Sequence, residues 1–177
     1  MTPREPREQG PWSNPGFLLW RVTLRWQRAV AGVLRPLGLT HPQFVVLAST
    51  WWLGRDGQPP SQRELAEHTD MDAMTASQVA RALEAKRLIR REQDPYDTRI
   101  KRLYVTEEGL ALARKAIEAV ESVDGAYFEP APDGAAFVEA LLALAPPPGS
   151  AAAHPSTPVV AGAGGEHRAG RADDREE

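Results

Sequence analysis

The stretch Arg91-Glu92-Gln93-Asp94-Pro95-Tyr96-Asp97-Thr98-Arg99-Ile100-Lys101-Arg102-Leu103-Tyr104-Val105-Thr106-Glu107-Glu108-Gly109 decides how the rest of the chain is read. Arg91 to Gln93 and Lys101 to Val105 are two short runs, the second alternating Lys101/Leu103/Val105 against Arg102/Tyr104. Between them Pro95 fixes φ and Asp97 can bond its own backbone, so Asp94 to Asp97 form a turn and the whole reads as a hairpin. Its tip carries Arg99, followed by Lys101 and Arg102. Thr106 suits a helix N-cap, and Glu107 and Glu108 fall in a first turn where the helix dipole favours negative charge.

Working back from the hairpin, Asp72 caps a helix running from Ala73 to Lys86, with Ala76, Val79, Ala80 and Leu83 facing inward. Before it, Ser61-Gln62-Arg63-Glu64 is a capping box that opens a short helix carrying Leu65 and Ala66. His68 to Met71 form the turn between the two. A short helix, a tight turn and a longer helix make a helix-turn-helix, and the hairpin beside it makes the layout winged. Further back, Thr40 and Gln43 form another capping box for a helix through Phe44, Leu47, Ala48, Trp51 and Trp52. A first helix spans about 17–36, apolar on two stripes, and its only charges are Arg21, Arg25, Arg28 and Arg35.

Forward of the hairpin, Glu107 to about Phe128 is one long helix. Its apolar seam of Leu110, Ala113, Ile117, Val120 and Tyr127 is interrupted by Asp124. Asp133 caps a last helix with Phe137, Val138, Leu141, Leu142 and Leu144. The expected organisation is a disordered arm over 1–16, one domain over 17–145 and a disordered Ala/Gly/Pro-rich tail over 146–177. Within the domain, the candidate DNA-binding core covers about 40–105, between helical segments at about 17–36 and 107–145. The fold class is mainly α with a small β-hairpin wing.

The 177 residues include no cysteine, which excludes disulfides, thiolate zinc sites and thiol redox sensing. The four His have no ligand spacing, so no metal or other cofactor is expected, and no nucleophile–base pair or phosphate loop points to an enzyme. Neither a secretory signal nor a membrane-spanning run is present, so a cytoplasmic protein without membrane contact is expected. The net charge of −3 speaks against a nucleic-acid partner, but its distribution speaks for one. From Thr75 to Val105 eight basic residues face four acidic ones, a local net of +4, while the end of the chain is acidic.

The candidate DNA contacts lie on three elements. Ser61 and Gln62 begin the first helix of the pair. Ala73, Met74, Thr75, Ser77, Gln78 and Arg81 form the outward side of the second, where Gln78 suits adenine and Arg81 phosphate or guanine. Arg99 and Lys101 belong to the wing. Arg99 has the long stem and planar fork that suit a narrow minor groove, although it can also be a solvated charge paired with Asp97. Trp20, Trp51 and Trp52, with Arg21 and His41, are candidates for a small-molecule pocket; the competing reading of the tryptophans is core or dimer packing.

With these residues in place the chain resembles the MarR family of winged helix-turn-helix transcriptional regulators over roughly 17–145. The resemblance rests on Asp94-Pro95-x-Asp97-x-Arg99 and Leu103-x-Val105-Thr106-x-x-Gly109. It is supported by Leu39-Thr40-x-x-Gln43-Phe44, Gln62-x-Glu64-Leu65-Ala66, Leu83-Glu84-x-Lys86 and Leu88-Ile89-x-Arg91. It implies an obligate homodimer with the first and last helices of the subunits, at about 17–36 and 107–145, interleaved as dimerisation helices. It also implies that the helix after Asp72 enters the major groove of a pseudo-palindromic operator in double-stranded DNA while the wing reaches the adjacent minor groove. Small aromatic effectors bound between the dimer and DNA-binding regions are a further implication, and the simplest regulator of this kind is a repressor relieved by such an effector. One departure is Arg87, where the family usually has Gly just after the recognition helix; that position favours φ > 0. Two other readings stay open on the sequence: a winged-helix protein-interaction module that never touches DNA, and a DNA-binding regulator without an effector.

Overall fold

The computed structural model describes residues 11–131 and 133–150. Six helices and one hairpin follow in the order α1 (Pro15–Leu34), α2 (His41–Gly54), α3 (Gln62–Thr69), α4 (Ala73–Ala85), β1 (Ile89–Gln93), β2 (Lys101–Val105), α5 (Glu107–Phe128) and α6 (Gly134–Leu144). Short 3-10 turns at Pro11–Ser13 and Arg35–Leu37 flank α1.

The helix starts lie where side chains satisfy the free amides of the first turn. Thr40 and Ser61 form complete capping boxes with Gln43 and Glu64, and Asp72 and Thr106 accept from the Thr75 and Gly109 amides. The first helix begins earlier than the sequence indicates. The Asn14 side chain accepts from the Phe17 amide at 2.9 Å and Pro15 occupies the first helical turn, so ordered chain extends back into the segment expected to be an arm. Residues 1–10 of that arm, and 151–177 of the expected tail, lie outside the described residues.

The core gathers Val30 and Leu34 of α1, Val46 and Leu47 of α2, Leu65 of α3, Ala80 and Leu83 of α4, Leu88, Ile89 and Leu103 of the hairpin, and Ala113, Ala116 and Val120 of α5. Of the inward positions expected on α4, Ala76, Ala80 and Leu83 are buried and Val79 is half-buried. Asp124, which interrupts the apolar seam of α5, has a partner: its Oδ1 accepts the Trp26 indole N–H at 2.6 Å, tying α5 to α1. His41 sits edge-on to the same indole, ring centroids 5.1 Å apart.

Strand pairing begins two residues earlier than the sequence suggests, with Ile89 opposite Val105 and then Arg90–Tyr104, Arg91–Leu103, Glu92–Arg102 and Gln93–Lys101. The apolar Leu88-Ile89 pair had hidden that start. It leaves α4 through a Schellman turn, in which the Leu88 amide donates to the Leu83 carbonyl at 3.0 Å and the Arg87 amide to that of Glu84 at 2.8 Å. Arg87 holds φ at 58°, the left-handed conformation its place after the helix requires.

Two surfaces remain uncovered within one subunit. The first half of α1 exposes Leu18, Leu19, Trp20 and Val22, and α6, whose Phe137 is half-buried beside Phe128, exposes Val138, Leu141, Leu142 and Leu144. Among the described residues no helix is long and apolar enough to cross a membrane, and no cluster of His, Asp and Glu is arranged to hold a metal ion.

Candidate nucleic-acid interface

The wing is built around one buried carboxylate. Asp94 is 8% exposed. Its Oδ1 accepts the Tyr96 and Asp97 amides at 2.8 and 3.1 Å, closing the turn, and its Oδ2 accepts Arg102 Nε at 2.8 Å. The Arg102 hydrogen bond, followed by those two amides, holds the Asp94 carboxyl below its usual range. Arg102 also donates to the Pro59 carbonyl at 3.2 Å and to Glu64 Oε2 at 3.1 Å. Glu64 in turn accepts the Ser61 amide at 2.7 Å, which together with the Ser61 hydroxyl and Arg102 lowers its pKa. The Leu103 amide donates to the Pro60 carbonyl at 2.9 Å, adding a backbone link. One guanidinium therefore fixes the wing turn against the start of α3.

At the tip, Arg99 has a side chain 89% exposed, held by Asp97 through Nε at 3.0 Å and Nη2 at 2.9 Å. The Arg99 side chain is also the first cause of the lowered Asp97 pKa. A pair so exposed is worth little in water, so Asp97 orients the guanidinium without tying it up.

The four acids among Thr75–Val105 do not cancel the basic patch evenly. Arg90 pairs with Glu92 and lies over the Tyr104 ring, Arg91 pairs with Glu84, Arg99 with Asp97, and Arg102 with Asp94 and Glu64. Among the described residues Arg81, Lys86, Arg87 and Lys101 are left without a carboxylate partner. Lys86 is nonetheless engaged, donating from Nζ to the Gly38 carbonyl at 2.7 Å and to Gln43 Oε1 at 2.8 Å.

Several expected contact residues meet in one groove. Ser61, Gln62, Ala73, Arg99 and Lys101 line a depression of about 880 Å³, with Arg63, Ala66, Glu67, Asp70, Met71 and Ile100. Ser61 is buried there and both its hydroxyl and its amide are spent on Glu64, so it shapes the groove and offers no free polar group. Met74, Thr75, Gln78 and Arg81 continue along the exposed side of α4, with Ser77 half-buried and accepting Arg81 Nη1 at 3.1 Å. The role of Arg102 escapes a reading of the sequence because its bonds to Pro59 and Glu64 join segments 43 and 38 positions apart in the chain.

The candidate pocket residues do not converge within a subunit. Trp51 and Trp52 share a groove of about 430 Å³ with Ala48, Ser49, His68, Ile117 and Glu121. The guanidinium of Arg55 stacks 3.6 Å above the Trp52 ring. His41 lies with Trp26 and Asp124 at the α1–α2–α5 junction, and burial lowers its pKa, partly offset by Asp124. Trp20 and Arg21 stand apart at the start of α1, where Arg21 covers the Trp12 ring at 4.7 Å.

Comparison with known proteins gives the family of this fold. The MarR family model matches residues 39–101. The chain is 38% identical to the HTH-type transcriptional regulator YdcH of Bacillus subtilis over 135 residues, covering 76% of this chain and 92% of that protein. It is 33% identical to the HTH-type transcriptional repressor Rv2887 of Mycobacterium tuberculosis, over 62% of this chain and 76% of that one. Among solved structures it resembles CouR from Rhodococcus jostii RHA1, bound to p-coumaroyl-CoA, with a TM-score of 0.67 at 31% identity, covering 76% of this chain and 94% of CouR. The chain belongs to the MarR family of winged helix-turn-helix transcriptional regulators.

Proposed function

We propose that the protein is a homodimeric transcriptional repressor in which α4 enters the major groove and the β1–β2 tip the neighbouring minor groove of a pseudo-palindromic operator. The observation that carries this reading is the common face on which the first turns of α3 and α4 and the Arg99–Lys101 side of the wing border one groove. The contact set is Gln62, Ala73, Met74, Thr75, Ser77, Gln78, Arg81, Arg99 and Lys101, with Ser61 holding the groove's shape. The uncovered apolar sides of α1 and α6 supply the subunit contact. Two-fold symmetry then sets half-site centres roughly one helical turn apart. A regulator of this kind works beside its operator, and the cytoplasm is its proposed location.

Release follows from a small molecule that binds a subunit spacing unfit for DNA more tightly than the DNA-bound one. The Trp51/Trp52 groove supports this reading, as does the ligand of CouR, an aromatic acyl thioester. A gel shift on the DNA upstream of the protein's own gene tests the main reading; absence of any shift favours the protein-interaction alternative. Tryptophan quenching by a panel of aromatic acids and their thioesters tests the effector, and a flat response throughout favours a regulator without one.

A further inference from the structure

The exposed large apolar side chains fall into distinct groups. Most lie at or just before α1 and on α6, the surfaces assigned above to the subunit contact, and Trp52 lies under Arg55. Two remain on the lobe that carries α3, α4 and the wing: Tyr96 at the wing tip and Met74 in the first turn of α4. Met74 is 71% exposed. Successive helical residues are about 100° apart, so Met74, Gln78 and Arg81 form the midline of the side opposite the buried Ala76, Ala80 and Leu83. Met74 therefore leads the recognition surface.

What this end of α4 can recognise is limited by its own chemistry. The N-cap is Asp72, whose carboxylate accepts the Thr75 amide at 2.9 Å and is kept below the usual range first by the Thr75 side chain and then by that amide. A standing negative charge makes this helix start a poor phosphate site, unlike the N-terminus of a phosphate-binding helix. Ala73 beside it is exposed and too small to keep a base edge away. The major-groove edges present hydrogen-bonding groups and one apolar feature, the 5-methyl of thymine. A thioether offers no strong hydrogen bond, and its unbranched stem adapts to an apolar partner.

We infer that Met74 is a specificity-determining residue that reads a thymine 5-methyl in each operator half-site, one helical turn ahead of Gln78. The inference rests on the DNA-binding reading and adds the base that is read.

The test begins by selecting bound duplexes from a random-sequence pool with the full-length protein. Each thymine of the selected half-site is then replaced in turn by deoxyuridine, which removes only the methyl. At one position the replacement weakens wild-type binding roughly four-fold, the equivalent of one buried methyl. The Met74→Ala variant, altered only at an exposed side chain, melts as the wild type and binds the thymine and deoxyuridine duplexes equally. An enriched duplex with no methyl-sensitive thymine, or equal sensitivity in Met74→Ala, overturns the Met74 assignment alone. A pool with no enriched duplex overturns the DNA-binding reading and this inference with it.

Discussion

Arg102 and Asp94 stand eight residues apart, and their 2.8 Å Nε–Oδ2 bond joins the body of β2 to the turn that begins the wing tip. The same guanidinium reaches Glu64 on α3, so the wing's position is set by a side chain that is itself only a quarter exposed. Arg102→Gln is expected to lower operator affinity on the order of tenfold. Because it acts by placing Arg99, most of that loss disappears in an Arg99→Ala background. A double-mutant cycle on operator binding measures this, and strict additivity would mean that Arg102 acts independently of the tip.

Arg99→Ala alone is expected to weaken operator binding and to reduce the slope of log affinity against log salt by about 1, the share of one cationic contact. A salt titration reads both quantities. An unchanged slope and affinity would remove the wing tip from the interface.

Glycine is required at position 109. A Cβ there would overlap the Leu88 carbonyl oxygen and lie 2.8 Å from its carbon, and that oxygen already accepts the Thr106 amide at 3.1 Å. Gly109→Ala should cost about 2–3 kcal/mol in denaturant unfolding. Arg87 is the converse case, a non-glycine residue at φ 58°. Arg87→Gly should stabilise by roughly 0.5–1 kcal/mol, since relief of left-handed strain exceeds the added freedom of the unfolded chain.

The α6 surface gives a direct test of assembly. Leu141→Glu combined with Leu142→Glu places charge on a helix that has no fully buried residue within its own subunit. Sedimentation should show a dimer becoming a monomer while the monomer's helical content persists. Operator affinity should fall with it, because one subunit carries only one reading head.

His41 makes stability depend on pH near neutrality. Burial lowers its folded pKa below the ordinary 6.5, so the stabilisation is fully present above that value and is lost as pH falls through the folded pKa. The melting temperature should begin to decline below about pH 6.5 in the wild type. His41→Gln should flatten that region. The lowered pKa values of Glu64, Asp94 and Asp97 add a separate loss only at lower pH, below the ordinary carboxylate range.

The helices of the recognition lobe were legible because their signals are local. Thr40–Gln43, Ser61–Glu64, Asp72 and Thr106 each cap a helix within three residues, and the apolar spacing of Ala76, Ala80 and Leu83 marks the inner side of α4. The start of α1 was missed because Asn14-Pro15 lies within a proline-containing stretch that reads as unstructured. The wing's basic patch was legible as a count, but not how its charges are spent. Arg91 and Arg102 serve neighbours, a fact that depends on which carboxylates the fold brings near. Asp124 looked like a flaw in a seam, and only its distance from Trp26 gives the reason for it.

Lys86 closes the recognition helix with an ammonium that grips the Gly38 carbonyl, just past the 3-10 turn that ends α1, and the Gln43 amide in the first turn of α2. The rear of the reading head is thereby leashed to the elbow between the first two helices. One ammonium thus couples the angle of α4 to that of the elbow through two hydrogen bonds, at the end of the helix opposite Met74.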